Sequence, residues 1–188
     1  MNQRYGKGFF LIANPVLPDP NFSRTVVLLC NHNEEGSFGL VVNRSTKLSS
    51  SEVFRGNQPL LKSWENKVFM GGPVSQSQVF YLCHASEPLP EMEPVCEGVQ
   101  LGMNWDALEL VLSHLKNPEH DIRFYLGYSG WAPGQLEGEM EQKSWLTCEA
   151  KGHFVFNERE DNIWPGAVRS LGKEYQYLLN APVNPGLN

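Results

Sequence analysis

Three short apolar runs near the start of the chain constrain the fold more than any other feature. Residues 8–13, 25–31 and 38–43 are rich in β-branched and aromatic side chains, and prolines crowd the segment 14–21 between the first two runs. Because proline cannot donate to a sheet ladder, the runs predict separate strands. Their apolar character is continuous rather than alternating, which predicts burial on both faces. Gly36 supplies a turn, so the second and third strands are expected to form a hairpin.

The rest of the chain mixes short strands with short helices. The pattern predicts strands at 67–70, 78–84, 122–128, 144–148 and 152–156, and helices at 48–55, 105–116, 133–142 and within 165–179. The segment 85–98 carries three prolines and four glutamates, and predicts an exposed acidic loop. Strands come first and helices later, without β-α-β alternation. This order favours an α+β fold in which helices pack on one strongly curved, mixed sheet.

Composition narrows the class of protein. The 188 residues fit a single domain, 1–188, and carry a net charge of −6 with the basic residues scattered. Direct nucleic-acid binding and attachment to an anionic membrane are therefore disfavoured. The apolar run 9–13 is too short for a signal sequence or a membrane span. Four widely spaced cysteines predict reduced thiols and a cytoplasmic location.

The glycine-rich run GYSGWAPGQLE at 127–137 is a candidate recognition surface. It is expected to join a strand to a helix, leaving backbone N–H groups open beside two aromatic rings. Its first five residues approach the Gly-x-Ser-x-Gly motif of serine hydrolases, but Trp131 fills the last glycine position. A structural turn is therefore favoured, and a hydrolase using Ser129 is kept as an alternative.

Other motifs favour structural roles. Glu137 and Glu141 share one face of the predicted helix, where a solvated acidic surface is favoured over acid–base chemistry, and Glu139 is expected to pair with Lys143. Cys30 and His32 lie two residues apart, but no second Cys or His pair at zinc spacing accompanies them. The phosphate-binding glycine motifs are absent. The sequence therefore predicts no metal and no cofactor.

Five blocks together resemble the YqgE/AlgH family of bacterial proteins. They are GFFLIANP at 8–15, DPNFSRTVVLLCNH at 19–32, GSFGLVVNR at 36–44, GGPV at 71–74 and GYSGWAPGQLE at 127–137. The resemblance implies a single α+β domain whose bifurcated sheet folds into a pseudo-barrel. It implies no catalytic residues, and one branch of the family is described as a transcriptional regulator.

These observations lead to a binding domain without catalysis as the first hypothesis. Polar, glycine and aromatic groups at strand ends suit a small anionic ligand or a protein partner. The expected binding residues are Arg24, Asn43, Arg44, Gly71, Gly72, Pro73, Tyr128, Ser129, Gly130, Trp131 and Gln135. The alternatives are transcriptional regulation, acting directly or through a protein partner, and the hydrolase using Ser129.

Overall fold

Ten strands and six α-helices form the part of the chain that the computed structural model describes, which is residues 5–15, 17, 19, 21–54 and 65–181. The strands are β1 (Phe9–Ala13), β2 (Val26–Asn33), β3 (Gly36–Val41), β4 (Ser45–Ser49), β5 (Lys67–Met70), β6 (Val74–His84), β7 (Glu93–Cys96), β8 (Val99–Gly102), β9 (Ile122–Trp131) and β10 (Trp145–Glu149). The helices are α1 (Ser50–Val53), α2 (Leu108–His114), α3 (Pro118–Asp121), α4 (Gln135–Glu141), α5 (Gly152–Phe156) and α6 (Glu160–Ser170), and a 3-10 helix (Lys173–Asn180) follows.

The strands form one sheet that branches at β9. The main order is β10-β1-β2-β3-β9-β6-β8-β7, and β5 joins β9 to β4. Along β9, residues 124–126 pair in parallel with β5, and residues 129–131 pair antiparallel with β3. The predicted α+β fold with a strongly curved, mixed and bifurcated sheet is therefore confirmed.

The first three strands are buried on both faces, as their continuous apolar runs predicted. Phe10 and Leu28 belong to one core cluster, together with Trp164 of α6. Leu11 and Val27 belong to another, together with Leu136 of α4 and the residues Trp131 and Trp145. Because successive side chains of a strand point to opposite faces, α4 and α6 cover opposite faces of β1–β3.

The predicted β2–β3 hairpin is confirmed, and the helix predicted at 48–55 is present but begins at Ser50, because residues 45–49 form β4. The β2–β3 hairpin turns at residues 34–35, and its register continues to the pair formed by Asn33 and Gly36. Helix α1 follows Ser49, whose backbone N–H donates to the Glu52 carboxylate at 2.9 Å, as in a capping box. The predicted end of that helix at Arg55 lies outside the described residues.

The strand predicted at 152–156 is wrong, because these residues form helix α5. A short apolar run fits a strand and a buried helix equally well. The ladder of β10 closes where the Ala150 N–H donates to the Gly8 carbonyl at 2.9 Å, and Val155 then packs into the core from one turn of helix. The helix predicted at 105–116 is shorter, because α2 begins at Leu108 and the backbone is already extended at Leu115. Trp105 precedes the helix and donates its indole N–H to the Val79 carbonyl at 3.3 Å.

Two predicted loops contain strand. The acidic segment 85–98 includes β7, where Val95 is buried and Pro94 lies on the outermost strand of the sheet. The run 127–131 is not an open junction, because it continues β9 and pairs with β3. Its backbone groups therefore enter the sheet ladder.

Within the described residues, no helix combines the length and the apolar character needed to cross a membrane. The four cysteines are free thiols, and burial raises the pKa of Cys96 to about 11.

Candidate anion-binding cleft

A cleft of about 810 Å³ lies beside α6 and the start of β4. Its volume falls in the range of small-molecule sites. Three of its lining residues are arginines, Arg24, Arg44 and Arg169, and two are the acidic residues Glu160 and Asp161. The rest of the lining is Asn43, Ser45, Thr46, Met70, Trp164, Pro165 and Leu179. We call this feature the arginine cleft.

Asn43 fixes the backbone that carries Arg24. Arg24 has a φ of 52°, a left-handed conformation that is uncommon for residues other than glycine. The Asn43 side-chain amide donates to the Arg24 carbonyl at 2.9 Å, and its oxygen accepts the Val26 N–H at 2.8 Å. One asparagine therefore ties this turn to the start of β2.

The Arg24 guanidinium is held at the wall of the cleft. Its Cζ lies 5.0 Å from the centre of the Trp164 ring, and its Nη2 donates to the Ala181 carbonyl at 2.6 Å. Its Nε is buried and has no hydrogen-bond partner among the described residues. A buried donor without a partner is costly, and an enclosed atom cannot itself contact a ligand in the cleft.

Arg44 and Arg169 supply the other two positive charges. The Arg44 Nη2 donates to the Ser23 carbonyl at 3.1 Å. Burial lowers the pKa of Arg44 and the nearby Asp19 opposes this, but a guanidinium stays protonated in proteins. Arg169 is exposed in the last turn of α6, where the helix dipole favours a cation. Within the described residues its side chain makes no hydrogen bond or ion pair.

The two carboxylates of the cleft are already engaged. Glu160 accepts hydrogen bonds from the Lys67 ammonium at 2.6 Å and from the Ser45 hydroxyl at 2.5 Å. Asp161 forms an ion pair with Arg159, with 3.3 Å between Oδ2 and Nη2. Three guanidinium groups therefore face two carboxylates that have partners of their own, in a chain whose net charge is −6. The cleft is a local positive site on an acidic protein.

The contacts of Glu160 predict a defined pH dependence of stability. Burial raises the pKa of Glu160, but the hydrogen bonds from Lys67 and Ser45 and the charges of Lys67 and Arg123 outweigh it, so the pKa lies below its usual 4.5. A carboxyl whose pKa is depressed by folding stabilises the protein above its unfolded pKa and loses this contribution as the pH falls through the folded pKa. We expect wild type to exceed Glu160→Gln in the free energy of unfolding at pH 7, and the difference to shrink below pH 4.5 in urea titrations. A difference that grows on acidification would contradict this assignment.

The predicted residues Gly71, Gly72 and Ser129 meet each other rather than the cleft. The Ser129 side chain is fully buried, and its hydroxyl donates to the Gly71 carbonyl at 3.2 Å. A Cβ on Gly72 would lie 2.2 Å from the Tyr128 carbonyl carbon. These residues form a close backbone contact between β9 and the turn after β5, and they leave no accessible hydroxyl for a hydrolase at Ser129.

The remaining predicted residues surround this contact or the start of α4. Pro73 and Gly130 are exposed, and Tyr128 packs between the rings of Phe38 and Phe80. Trp131 is only 6% exposed and Gln135 donates to Glu139 at 3.0 Å. The structure therefore brings Arg24, Asn43 and Arg44 together. It places Trp131 against the face of β1–β3 opposite to the Trp164 face.

Sequence reasoning missed nine of the twelve lining residues, among them Glu160, Trp164 and Arg169. The sequence predicts a helix only within 165–179, whereas α6 begins at Glu160, so Glu160 and Trp164 fall outside the predicted helix. Arg159 marks the start of α6, and acidic residues in its first turn are a recognisable N-terminal signal. An isolated arginine such as Arg169 carries no signal of its own.

A serine, a histidine and a carboxylate also meet at the end of the β2–β3 hairpin. The Ser37 hydroxyl lies 2.8 Å from the His32 Nδ1, and the His32 Nε2 lies 3.8 Å from a Glu137 oxygen. The second distance is too long for a hydrogen bond, and none of the three residues lines the arginine cleft. This arrangement therefore gives no support to nucleophilic catalysis. Among the described residues, no three His, Cys, Asp or Glu side chains are grouped to hold a metal ion.

Comparisons with known proteins agree with this fold. A model of the AlgH-like family matches residues 10–176. A "UPF0301 protein" from Chlorobium limicola is 38% identical over 182 residues, which are 96% of this chain and 95% of that protein. A "UPF0301 protein" from Cytophaga hutchinsonii is 34% identical over 183 residues, with 97% and 98% covered.

Two solved structures are similar along almost the whole chain. The solution structure of AlgH from Pseudomonas aeruginosa is 30% identical with a TM-score of 0.73, and covers 97% of this chain and 98% of its own. A crystal structure of a protein from Corynebacterium diphtheriae has a TM-score of 0.76 at 19% identity. The match covers 95% of this chain and 94% of that protein, and it shows the shared fold. The expected YqgE/AlgH resemblance is confirmed, and the chain belongs to the AlgH-like family.

Proposed function

We propose that this protein is a cytoplasmic, non-catalytic domain that binds a small oxyanion in the arginine cleft. The observation that carries the proposal is the meeting of Arg24, Arg44 and Arg169 in one cleft of a chain with a net charge of −6. Three arginines around a single cavity of this size are the usual means of holding a carboxylate or a phosphate.

The geometry supports binding better than structural charge pairing. Trp164 and Asn43 fix Arg24, and Arg169 has no ion-pair partner among the described residues. The negative charges of the lining are neutralised by Lys67 and Arg159. An incoming anion would thus meet guanidinium groups that are already oriented, which lowers the entropic cost of binding.

The proposal predicts that Arg169→Gln weakens oxyanion binding by about tenfold or more, since a hydrogen bond to a charged group contributes about 1.5–3 kcal/mol. The measurement is isothermal titration calorimetry with inorganic phosphate, sulfate and acetate at low ionic strength. Arg169 is exposed and without partners among the described residues, so the thermal midpoint of unfolding should stay unchanged.

Lys173→Gln is the matched control, because it removes one positive charge from the neighbouring 3-10 helix but lies outside the cleft lining. It should bind the anions almost as tightly as wild type. Equal weakening by both substitutions would indicate general charge attraction and contradict a defined site. Absence of anion binding by the folded wild-type protein would also contradict the proposal.

A further inference from the structure

The neutral polar side chains of the arginine cleft are occupied by the protein itself. Asn43 bonds to two backbone groups, as described above. The Ser45 hydroxyl donates to Glu160, and the Thr46 hydroxyl donates to the Val68 carbonyl at 2.8 Å and accepts the Leu48 N–H at 3.1 Å. The carboxylates of Glu160 and Asp161 are engaged by Lys67, Ser45 and Arg159, so guanidinium N–H groups are the polar recognition elements that the lining offers to an anion.

Apolar side chains form the remainder of the wall. Met70, Pro165 and Leu179 line the cleft and are each only partly buried. Met70 ends β5, Pro165 lies within α6 and Leu179 lies near the end of the 3-10 helix, so the apolar contacts come from three separate elements. A ligand that reaches all three would remove their exposed surface from water.

We propose that the ligand of the cleft is an amphipathic oxyanion, in which one carboxylate or phosphate group is attached to an apolar body. This inference rests on the proposed function and specifies its ligand class. The head group contacts the guanidinium groups, and the apolar body packs against Met70, Pro165 and Leu179.

The same lining disfavours sugar phosphates and other polar anions. Their hydroxyl groups would leave water for a surface whose Asn43, Ser45 and Thr46 side chains already have partners. A polar group that is buried without a hydrogen bond costs binding free energy, whereas a methylene group gains it. Discrimination by the cleft should therefore increase with the apolar size of the anion and decrease with its hydroxyl count.

Two homologous series test the proposal by calorimetry: acetate, butyrate and hexanoate, and the methyl, butyl and hexyl esters of phosphate. Each buried methylene should tighten the dissociation constant by up to about fourfold until the cleft is full, which follows from about 0.8 kcal/mol per buried CH₂. The series that binds more tightly identifies the head group. Ribose 5-phosphate should bind more weakly than butyl phosphate.

Leu179→Gln tests the apolar wall separately from the head-group site. It should reduce the gain per methylene, so that hexanoate and hexyl phosphate lose more affinity than acetate and inorganic phosphate do, and a thermal melt confirms that the variant is folded. Equal affinity along both series, or ribose 5-phosphate binding as tightly as butyl phosphate, would overturn this inference. If Arg169→Gln still weakened binding of inorganic phosphate in that case, the proposed function would stand. Absence of binding by every anion would remove both.

Discussion

Replacing Gly72 with alanine is expected to lower the free energy of unfolding by about 3 kcal/mol or more. The new Cβ would lie 2.2 Å from the Tyr128 carbonyl carbon, 2.3 Å from its oxygen and 2.4 Å from the Ser129 nitrogen. All three are backbone atoms of β9, so no side-chain rotation can relieve the overlap. Because β9 is the strand at which the sheet branches, its displacement would disturb pairing with β3, β5 and β6.

Gly138→Ala is the matched control for this prediction. A Cβ at Gly138 would meet nothing within 4 Å, and the residue lies inside α4, where alanine is favoured over glycine by about 0.5–1 kcal/mol. Guanidinium denaturation followed by tryptophan fluorescence would compare the two variants. The two substitutions should have opposite signs, and equal stability of Gly72→Ala and Gly138→Ala would contradict the close approach of the two segments.

Replacing Glu139 with leucine is expected to cost about 2–4 kcal/mol of stability, because two indole groups lose one shared acceptor. The Glu139 Oε2 accepts the Trp131 N–H at 2.9 Å and the Trp145 N–H at 2.7 Å, while its Oε1 accepts from Gln135 at 3.0 Å. Trp145 is 1% exposed, so its indole N–H would find little water in the variant. The Glu139 carboxylate therefore accepts hydrogen bonds from Trp131, Trp145 and Gln135, in place of the predicted pairing with Lys143.

Glu141→Leu provides the comparison, since it makes the same chemical change at an exposed position of the same helix. Its free energy of unfolding should change by less than about 0.5 kcal/mol, the range usual for surface substitutions. In ¹H–¹⁵N spectra, the indole resonances of Trp131 and Trp145 should shift in Glu139→Leu and not in Glu141→Leu. Equal denaturation midpoints for the two variants would show that the shared acceptor contributes nothing.

The sequence predicted the sheet well where burial dominates. The runs that became β1, β2 and β3 lie between two cores, so their composition alone identifies them. The prediction of a strand at 152–156 failed, because this short segment suits a strand or a buried helical turn equally well. Which of the two forms depends on where the β10 ladder ends. The sequence prediction also failed at 129–131, where glycines indicated a turn but the backbone continues as a strand that pairs with β3. Gly127, with a φ of 65°, lies beside an irregular part of β6 within the same strand.

The cleft was predicted only in part, for a related reason. Arg24, Asn43 and Arg44 belong to the first blocks of the chain, and the sequence could identify them as polar groups near strand ends. Arg169 and Glu160 come to the same cleft from α6, more than a hundred residues later, and only tertiary packing of Trp164 under Arg24 brings them there. The glycine and tryptophan residues of the 127–137 run lie in the same family blocks as the arginines, and the sequence alone does not separate the two groups. The structure uses Gly71, Gly72 and Ser129 to join two backbone segments and Trp131 to fill a core.

Oxyanion binding in the arginine cleft is tested most directly by a ¹H–¹⁵N titration of the protein with hexanoate and with butyl phosphate, in which backbone amide and arginine Nε–H resonances are followed together. Binding in the cleft should give saturable shifts at Arg24, Ser45, Thr46 and Arg169, with little change at residues 128–135. Shifts concentrated at 128–135, or none at the arginines at saturating ligand, would contradict it.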